Sequence, residues 1–571
     1  MAPLTADLRR ALAPTAAVAG VLLAFFLTQY AGAVAIPFIN DDYVFLDKTR
    51  AAGFLDLWRF EGLAFHWYRP WSRELHYWTL QRLFGARETA FHLANVALWL
   101  AVLTGFWSLT RRLAGSRAAA VAVAGMAAMA AWAVPVLWVA GVQDLWMLLF
   151  ALLTLHAWVA GRPWLAAVAL AGALLSKETA AVVAPLAIAC SLVVERRRPA
   201  VTLWRALPLI VATALWALVH PLLGGRLWHA PVAPAGSAPG PGLLALLRTL
   251  LVPLNLDALP RPEHGWLPIL GPGAAGAMIL GAAVVLGSRA RERSPTAAPR
   301  PVIAFGIVWA LLGWAPLLMP SLGWHAYYSL LGACGVWLAL APLLARRTAL
   351  AAVLVATLAL LGTARAATPS LDWGTAWYQR RAAAFIRVMR AQLKERHPTL
   401  PAHSRLFFVR IPSNVGLLAG DGPALRVWYD DPTLRAGFYS AYRPRDPAGP
   451  AGPDLFFRFD STGGWVELVP GAEDAERARH ENPRWEKDHA TLAATLARAG
   501  DWRGAAIEYE KLADVAPDRL EFAFDAGMSR ETLGDSAAAA AWYARAAALP
   551  DADAEVREAA ARLARHLRGS R

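Results

Sequence analysis

Apolar positions gather into long unbroken runs over the first two-thirds of the chain and into short helical or alternating patterns over the last third. Runs able to span, or nearly span, ~30 Å of hydrocarbon lie at about 15–37, 90–110, 117–134, 142–160, 164–175, 179–194, 206–223, 268–288, 302–318, 326–344 and 348–365. The expectation is eleven transmembrane helices. The fifth and sixth runs are short and separated only by Ser176-Lys177-Glu178, so a re-entrant pair is the alternative there. The first run is too long for the apolar region of a signal peptide and lacks a clear small-residue cleavage site, so it reads as a retained span.

The last third divides in two. Residues 366–480 open with a helical pattern from Trp377 to Arg396. Four β-like runs follow, starting at Leu406, Leu425, Leu455 and Trp465 and separated by Pro and Gly turns, which predicts a small α+β domain. Residues 481–571 are helical and repeat. Gly500-Asp501, Ala505-Ala506, Tyr509 and Ala513 return as Gly534-Asp535, Ala539-Ala540, Tyr543 and Ala547, each 34 residues later. That is the tetratricopeptide period, with small residues where paired helices approach.

Composition sharpens this picture. The chain is 57% hydrophobic and 17% charged, whereas about 25% charge is usual for soluble proteins. It is too apolar for disorder. The net charge of +14 sits wholly in residues 1–365, with 28 Lys and Arg against 14 Asp and Glu; residues 366–571 are balanced at 28 and 28. A soluble basic face for nucleic acid is therefore excluded as the organising feature. The two cysteines, Cys190 and Cys334, both lie in apolar runs and build neither a disulfide framework nor a cysteine zinc site. No phosphate-binding glycine loop or His-x-x-Glu-His type zinc motif is present, and Gly420-Asp421-Gly422 reads as a turn.

The loops supply an orientation. Basic residues cluster at Arg9/Arg10, Arg111/Arg112/Arg117, Arg162, Arg196–Arg198 with Arg205, Arg289/Arg291/Arg293/Arg300 and Arg346/Arg347, in every second gap. The positive-inside rule then places the N-terminus in the cytoplasm and, with an odd span count, the tail outside. The external gaps are 38–89, 135–141, 176–178, 224–267 and 319–325. The high Ala and Arg content points to a GC-rich bacterial source, hence an inner membrane and a periplasmic tail. The 38–89 loop mixes aromatics (Phe54, Trp58, Phe60, Trp67, Tyr68, Trp71, Tyr77, Trp78) with charge, as short interfacial helices do.

Candidate chemistry concentrates on this external side. Asn40-Asp41-Asp42 follows the first span; one carboxylate suffices for a helix cap, whereas two neighbours raise one another's pKa, which suits a general base. Lys177 and Glu178 sit between two apolar runs, where ionisable groups mark function unless they lie at an exposed hairpin tip. Asp144 stands at a span start, where capping is the plain reading. His92 and Asn95, a turn apart, also suit simple helix-to-helix bonding. Glu263 and His264 could touch an acceptor or a metal, or only solvent.

The order of these motifs carries a resemblance. Asn40-Asp41-Asp42-Tyr43, Tyr68-Arg69-Pro70, Phe84-Gly85, Phe91-His92-Leu93-Ala94-Asn95 and Leu175-Ser176-Lys177-Glu178-Thr179 together resemble the multispan GT-C glycosyltransferases, in particular the protein O-mannosyltransferase-like branch whose chains end in tetratricopeptide repeats. The resemblance covers about 1–345 by motif and 485–567 by repeat. It implies about eleven spans, an acidic pair in the first external loop and a polyprenyl-phosphate-linked sugar as donor, with mannose a candidate. Two segments depart from the family pattern: Gly141-Val142-Gln143-Asp144 lacks an Arg, and His325-Ala326-Tyr327-Tyr328 replaces an Arg-Tyr-Leu-Tyr segment.

The physical roles can be assigned beside that resemblance. A glycosyl phosphate already has a good leaving group, so the enzyme needs a base for an acceptor hydroxyl and cations for the departing phosphate. Asp41 with Asp42 suits the first role; Arg69, Arg73, Lys177 and His325 suit the second. Tyr68, His92, Asn95, Asp144, Glu178 and Tyr328 would support the site. No cofactor is required by the sequence, and a divalent cation at the acidic pair stays open. The partners implied are the lipid-linked donor, a protein or glycolipid acceptor, the bilayer and a protein bound by the repeats, with no nucleic acid. Two rival classes are a transporter, for which inverted halves are not evident, and a non-catalytic membrane-anchored repeat scaffold.

Overall fold

The computed structural model describes residues 6–60, 67–220, 243–289, 299–318, 324–370, 372–409, 421–439, 442, 445, 448–460, 464–469 and 485–569. Arg291 and Arg293, Gly420, much of the 224–267 and 319–325 gaps, and the expected boundary at 480/481 lie outside them. The chain forms two compact units, Met1–Arg387 and Val388–Arg571.

The first unit is that of an integral membrane protein. Its helices are α1 (Ala6–Tyr30), α2 (Asp41–Arg50), α3 (His76–Phe84), α4 (Glu88–Ala114), α5 (Ser116–Ala127), α6 (Ala133–Leu137), α7 (Val142–Val159), α8 (Pro163–Leu174), α9 (Val183–Val193), α10 (Pro199–Val219), α11 (Leu243–Leu251), α12 (Leu267–Arg289), α13 (Pro299–Trp314), α14 (Leu330–Leu344) and α15 (Thr348–Ala366). Among the described residues eight helical stretches are long and apolar enough to cross a membrane, or nine with one bent pair. Every one of the eleven apolar runs holds a helix, but Pro163–Leu174 and Glu178–Val194 are short. A further short apolar stretch, Leu243–Leu254, lies where the sequence predicted only loop.

Local chemistry explains the ends. Helix α4 starts with Glu88, finishes with Arg111 and Arg112 and stops at Gly115, whose φ is 90°. This matches the helix dipole and the left-handed stop that glycine permits. Proline occupies the first turn of α8 and α10, where its missing N–H costs nothing. Helices α13 and α14 approach through glycine: a Cβ on Gly335 would collide with the Ala310 nitrogen, the close backbone approach that small residues allow in membranes.

One expected span is not straight. The run at 117–134 becomes α5 and the Ala130–Leu137 segment, bent by 59°. Irregular backbone at membrane depth needs internal hydrogen-bond partners, and two asparagines supply them. Asn255 donates to Ala128 O (2.9 Å) and Leu358 O (2.8 Å) and accepts from Ala130 N (2.8 Å). Asn95 donates to the carbonyls of Pro135, Trp138 and Val139 at 3.2–3.3 Å. Gly141 closes the segment, since a Cβ there would lie 2.6 Å from Pro135 Cα.

Helix α16 (Ala376–Arg396) runs across the boundary of the two units. The second unit contains a four-stranded sheet of order β2-β1-β3-β4, formed by β1 (Arg405–Val409), β2 (Arg435–Phe438), β3 (Asp454–Asp460) and β4 (Gly464–Leu468). β1 is parallel to β2 and β3, and β4 is antiparallel to β3. Phe407, Val409, Tyr439, Phe456 and Leu468 pack together on it. The expected strand from Leu425 to Tyr429 is instead the helix α17 (Pro423–Tyr429). Pro423 in its first turn, after left-handed Gly422, starts a helix, and the buried Arg426 donates to Asp421 O and Leu434 O. The helix makes the crossover that parallel β1 and β2 require, and β2 was not foreseen.

Helices α18 (Trp485–Arg498), α19 (Trp502–Val515), α20 (Leu520–Thr532), α21 (Ser536–Ala547) and α22 (Ala554–Gly569) follow, each packed on the next. The 34-residue phase is visible in their geometry. Gly500 and Gly534 have φ of 79° and 78°, and Asp501 and Asp535 cap α19 and α21 by accepting from Gly504 N and Ala538 N. Ala505, Tyr509 and Ala513 sit in one buried cluster, Ala539 and Tyr543 in the next.

Candidate active site

The two adjacent aspartates have different surroundings. Asn40, at φ 50° and ψ −122°, turns the chain sharply into α2. Asp42 enters the interior completely, and its carboxylate accepts from Ile39 N (2.9 Å), Ala140 N (2.8 Å) and the Tyr77 hydroxyl (2.8 Å). The Ala140 donor comes from the bent segment after α6. Burial drives the Asp42 carboxyl above the usual carboxylate range, against the pull of those three donors. Asp41 is partly buried and makes no hydrogen bond or ion pair with the described residues. Burial raises its pKa to about 6, opposed by the nearby Arg73 and Arg69 guanidiniums. Asp42 is thus the fixed member of the pair and Asp41 the open one.

The expected cations gather around ion pairs that cross between segments. Lys177 and Glu178, neighbours in sequence, do not pair with each other, because the extended backbone at Lys177 (φ −162°, ψ 140°) sends successive side chains to opposite sides. Lys177 Nζ holds both oxygens of Asp144 at 2.7 and 2.8 Å. Glu178 accepts from Arg69 at 2.5, 2.8 and 3.1 Å, and its Oε1 lies 3.4 Å from His220 Nε2. Arg69 also donates to Gln143 Oε1 at 2.7 Å. All four charged groups are shielded, with side chains 7–16% exposed. The Lys177 ammonium lies 4.5 Å from the centre of the Tyr328 ring and 5.4 Å from that of Tyr327.

Other expected residues are placed around this cluster or behind it. Arg73 is buried, donates to Trp67 O at 2.6 Å and stacks over Phe45 at 4.9 Å. Beside it, Glu74 takes Lys48 at 2.9 Å. His325 is paired by Nδ1 with Asp372 at 2.7 Å and rests on Trp373, ring centres 4.0 Å apart. Tyr68 braces the loop itself, its hydroxyl donating to Trp58 O at 3.1 Å. His92 faces Ile36 O at 3.0 Å, so with Asn95 it fixes the backbone on either side of Asp42.

Sequence reasoning missed Tyr77, Gln143, His220 and Asp372. Gln143 stands at the variable position of the Gly141–Asp144 segment, one residue after Val142, where that pattern has its Arg. Tyr77 lay within the aromatic loop but carried no signal separating it from its neighbours, and His220 and Asp372 had none. Among the described residues no group of three or more His, Cys, Asp and Glu could hold a metal ion.

Among the described residues Arg69 engages three of its five N–H groups and Lys177 two of its three. Each therefore keeps donors for a further anion. The arrangement offers a partly buried carboxylate and spare cationic donors, groups able to accept a proton and to hold an anion.

No protein-family model and no curated protein matches the chain. Among solved structures it is similar to ArnT from Cupriavidus metallidurans in the apo state, at 18% identity and a TM-score of 0.39, covering 79% of this chain and 93% of that one. The same protein bound to undecaprenyl phosphate gives 16% identity and a TM-score of 0.36, with 75% and 86% covered. A likeness this slight carries no statement about fold or activity.

Proposed function

We infer that the chain is a membrane glycosyltransferase of the GT-C type. It would transfer one monosaccharide, with mannose a candidate, from a polyprenyl-phosphate carrier to a hydroxyl of a protein or glycolipid. The observation that carries this reading is Asp41: a carboxylate with no hydrogen bond among the described residues, beside Arg69 and Arg73, in the segment after the first span. Asp41 would take the acceptor proton while the hydroxyl attacks the anomeric carbon from the face opposite the phosphate, inverting it. The departing phosphate would be met by the unused N–H groups of Arg69 and Lys177, with Glu178 and Asp144 holding those cations in place.

The N-terminus would be cytoplasmic and the second unit periplasmic, placing the sheet and the helical repeats on the acceptor side. Tetratricopeptide-like hairpins there would hold the acceptor or a protein partner. Incubating the purified full chain with a panel of radiolabelled polyprenyl-phosphate sugars tests the reading. Release of polyprenyl phosphate by the wild type and not by Asp41→Asn is the expected result. Absence of both donor binding and turnover across the panel would move the assignment to a membrane-anchored scaffold.

A further inference from the structure

A second site stands apart from Asp41 and from the ion pairs around Lys177. A cavity of about 440 Å³ opens where α12 begins and α15 ends, lined by Glu263, His264, Ile269, Trp377, Arg380 and Arg381 among others. Its frame is held by hydrogen bonds. Glu263 N donates to Ala367 O at 3.1 Å, and Glu263 Oε2 accepts the Trp377 indole N–H at 2.6 Å. Next to the rim, Arg261 N donates to Thr368 Oγ1 at 2.9 Å. Arg381 lies over the Trp377 ring at 4.9 Å.

Among the described residues no carboxylate pairs with the arginines of this cavity. The nearby Arg365 is neutralised by Asp257 at 2.8 Å, and the one carboxylate in the wall, Glu263, is engaged with Trp377. Among the described residues Arg380 donates to Ala366 O at 3.5 Å and lies near Tyr30, and neither Arg380 nor Arg381 makes an ion pair. The position is a membrane boundary, because two spans end there. It also shares a side with the end of α1, since Gln29 bonds Pro272 O (3.1 Å) and accepts from Thr363 (2.7 Å). Beside the cavity, Trp266 and Leu267 are 51% and 82% exposed, an apolar surface for acyl chains. Unpaired arginines are not expected on the side opposite the basic loops.

We propose that this cavity binds the phosphate of an anionic lipid headgroup. Arg380 and Arg381 donate to the phosphate oxygens, a geometry guanidinium favours. Trp377 forms the wall, and the lipid chains run along Trp266, Leu267 and Leu270. The volume suits a small phosphodiester headgroup. The same chemistry is offered by free phosphate, and the test separates the two sources.

The full chain in uncharged detergent is titrated calorimetrically with dihexanoyl phosphatidylglycerol, dihexanoyl phosphatidylcholine and inorganic phosphate. Phosphatidylglycerol is expected to bind at least about tenfold more tightly than either of the others, a gap that two charge-assisted contacts supply. Inorganic phosphate binding as tightly as phosphatidylglycerol would overturn the lipid assignment. The double variant Arg380→Gln/Arg381→Gln, at two exposed positions, should lose that preference. Glu263→Gln keeps an acceptor for Trp377 but removes the local negative charge, so it should tighten phosphatidylglycerol binding several-fold. Unchanged binding in the arginine variant, no gain in Glu263→Gln, or equal affinity for phosphatidylcholine would each overturn the proposal.

Discussion

Asp41 and Asp42 are joined by one peptide bond, yet Asp42 accepts three hydrogen bonds from three separate segments while Asp41 accepts none among the described residues. Successive residues of a helix point about 100° apart, so the first turn of α2 sends one carboxylate into the core and leaves the other beside Arg69 and Arg73. The pair is therefore divided in its work. Asp42 ties α2 to α3 through Tyr77 and to the stretch after α6 through Ala140; the Asp41 oxygens take no hydrogen bond among the described residues.

This division predicts opposite behaviour on amidation. Asp41→Asn should leave thermal unfolding in detergent almost unchanged and lower sugar transfer about 10²–10⁴-fold, the usual contribution of a general base. Asp42→Asn should lose stability, by about 1–3 kcal/mol, because an amide NH₂ must face a buried backbone N–H. Equal effects of the two changes on turnover, with no loss of stability in Asp42→Asn, would refute the assignment.

The pH dependence follows from Asp41. Its pKa is raised to about 6, by burial against the pull of Arg73 and Arg69. A base acts deprotonated, so transfer should be level above pH ~7 and fall through pH 6, reaching tenfold loss per unit below it. A rate independent of pH down to 5 in the wild type would exclude Asp41 as the base.

The crossed ion pairs make a stability prediction. Lys177 and Asp144 are both shielded, and removing one partner strands the other. Lys177→Met or Asp144→Asn should each cost about 3–5 kcal/mol, whereas the double variant should cost less than the two singles combined. A double-variant cycle by thermal unfolding in detergent measures this coupling; simple additivity would argue against the pair as a unit.

The repeat geometry can be tested in the full chain by hydrogen exchange. Asp501→Ala and Asp535→Ala remove the caps of α19 and α21 and should each cost about 1 kcal/mol locally. Gly500→Ala and Gly534→Ala should cost a similar amount, about 1 kcal/mol, because φ near +79° strains a residue with a Cβ. Faster exchange confined to the altered hairpin is expected, and equal exchange throughout would contradict it.

Orientation is tested by reporter fusions. Those after Arg117, Arg198 and Arg347 should read cytoplasmic, and those after Gly225 and Gly471 external. A cytoplasmic reading after Gly471 would put the second unit on the side away from Asp41 and remove its proposed role with the acceptor.

What could be read in the sequence was whatever depends on local pattern. The apolar runs marked the helices of the first unit because a lipid-facing helix must be apolar along its whole length. The 34-residue phase marked the paired helices of the second, since small residues must recur where neighbours touch. Asp41 and Asp42 stood out because two carboxylates beside a span need a reason. Local pattern misled at Leu425–Tyr429, where an alternating run proved helical because Gly422 and Pro423 start a turn and a parallel crossover is needed. It also missed the bend after Ala127, which is decided by Asn255, a residue more than a hundred positions away that fills the broken hydrogen bonds. The pairings Lys177–Asp144 and Arg69–Glu178 join segments distant in sequence, and the choice between Asp41 and Asp42 rests on donors from Ile39, Tyr77 and Ala140. Buried charges take whichever partner the packing brings near, and packing is a property of the folded chain.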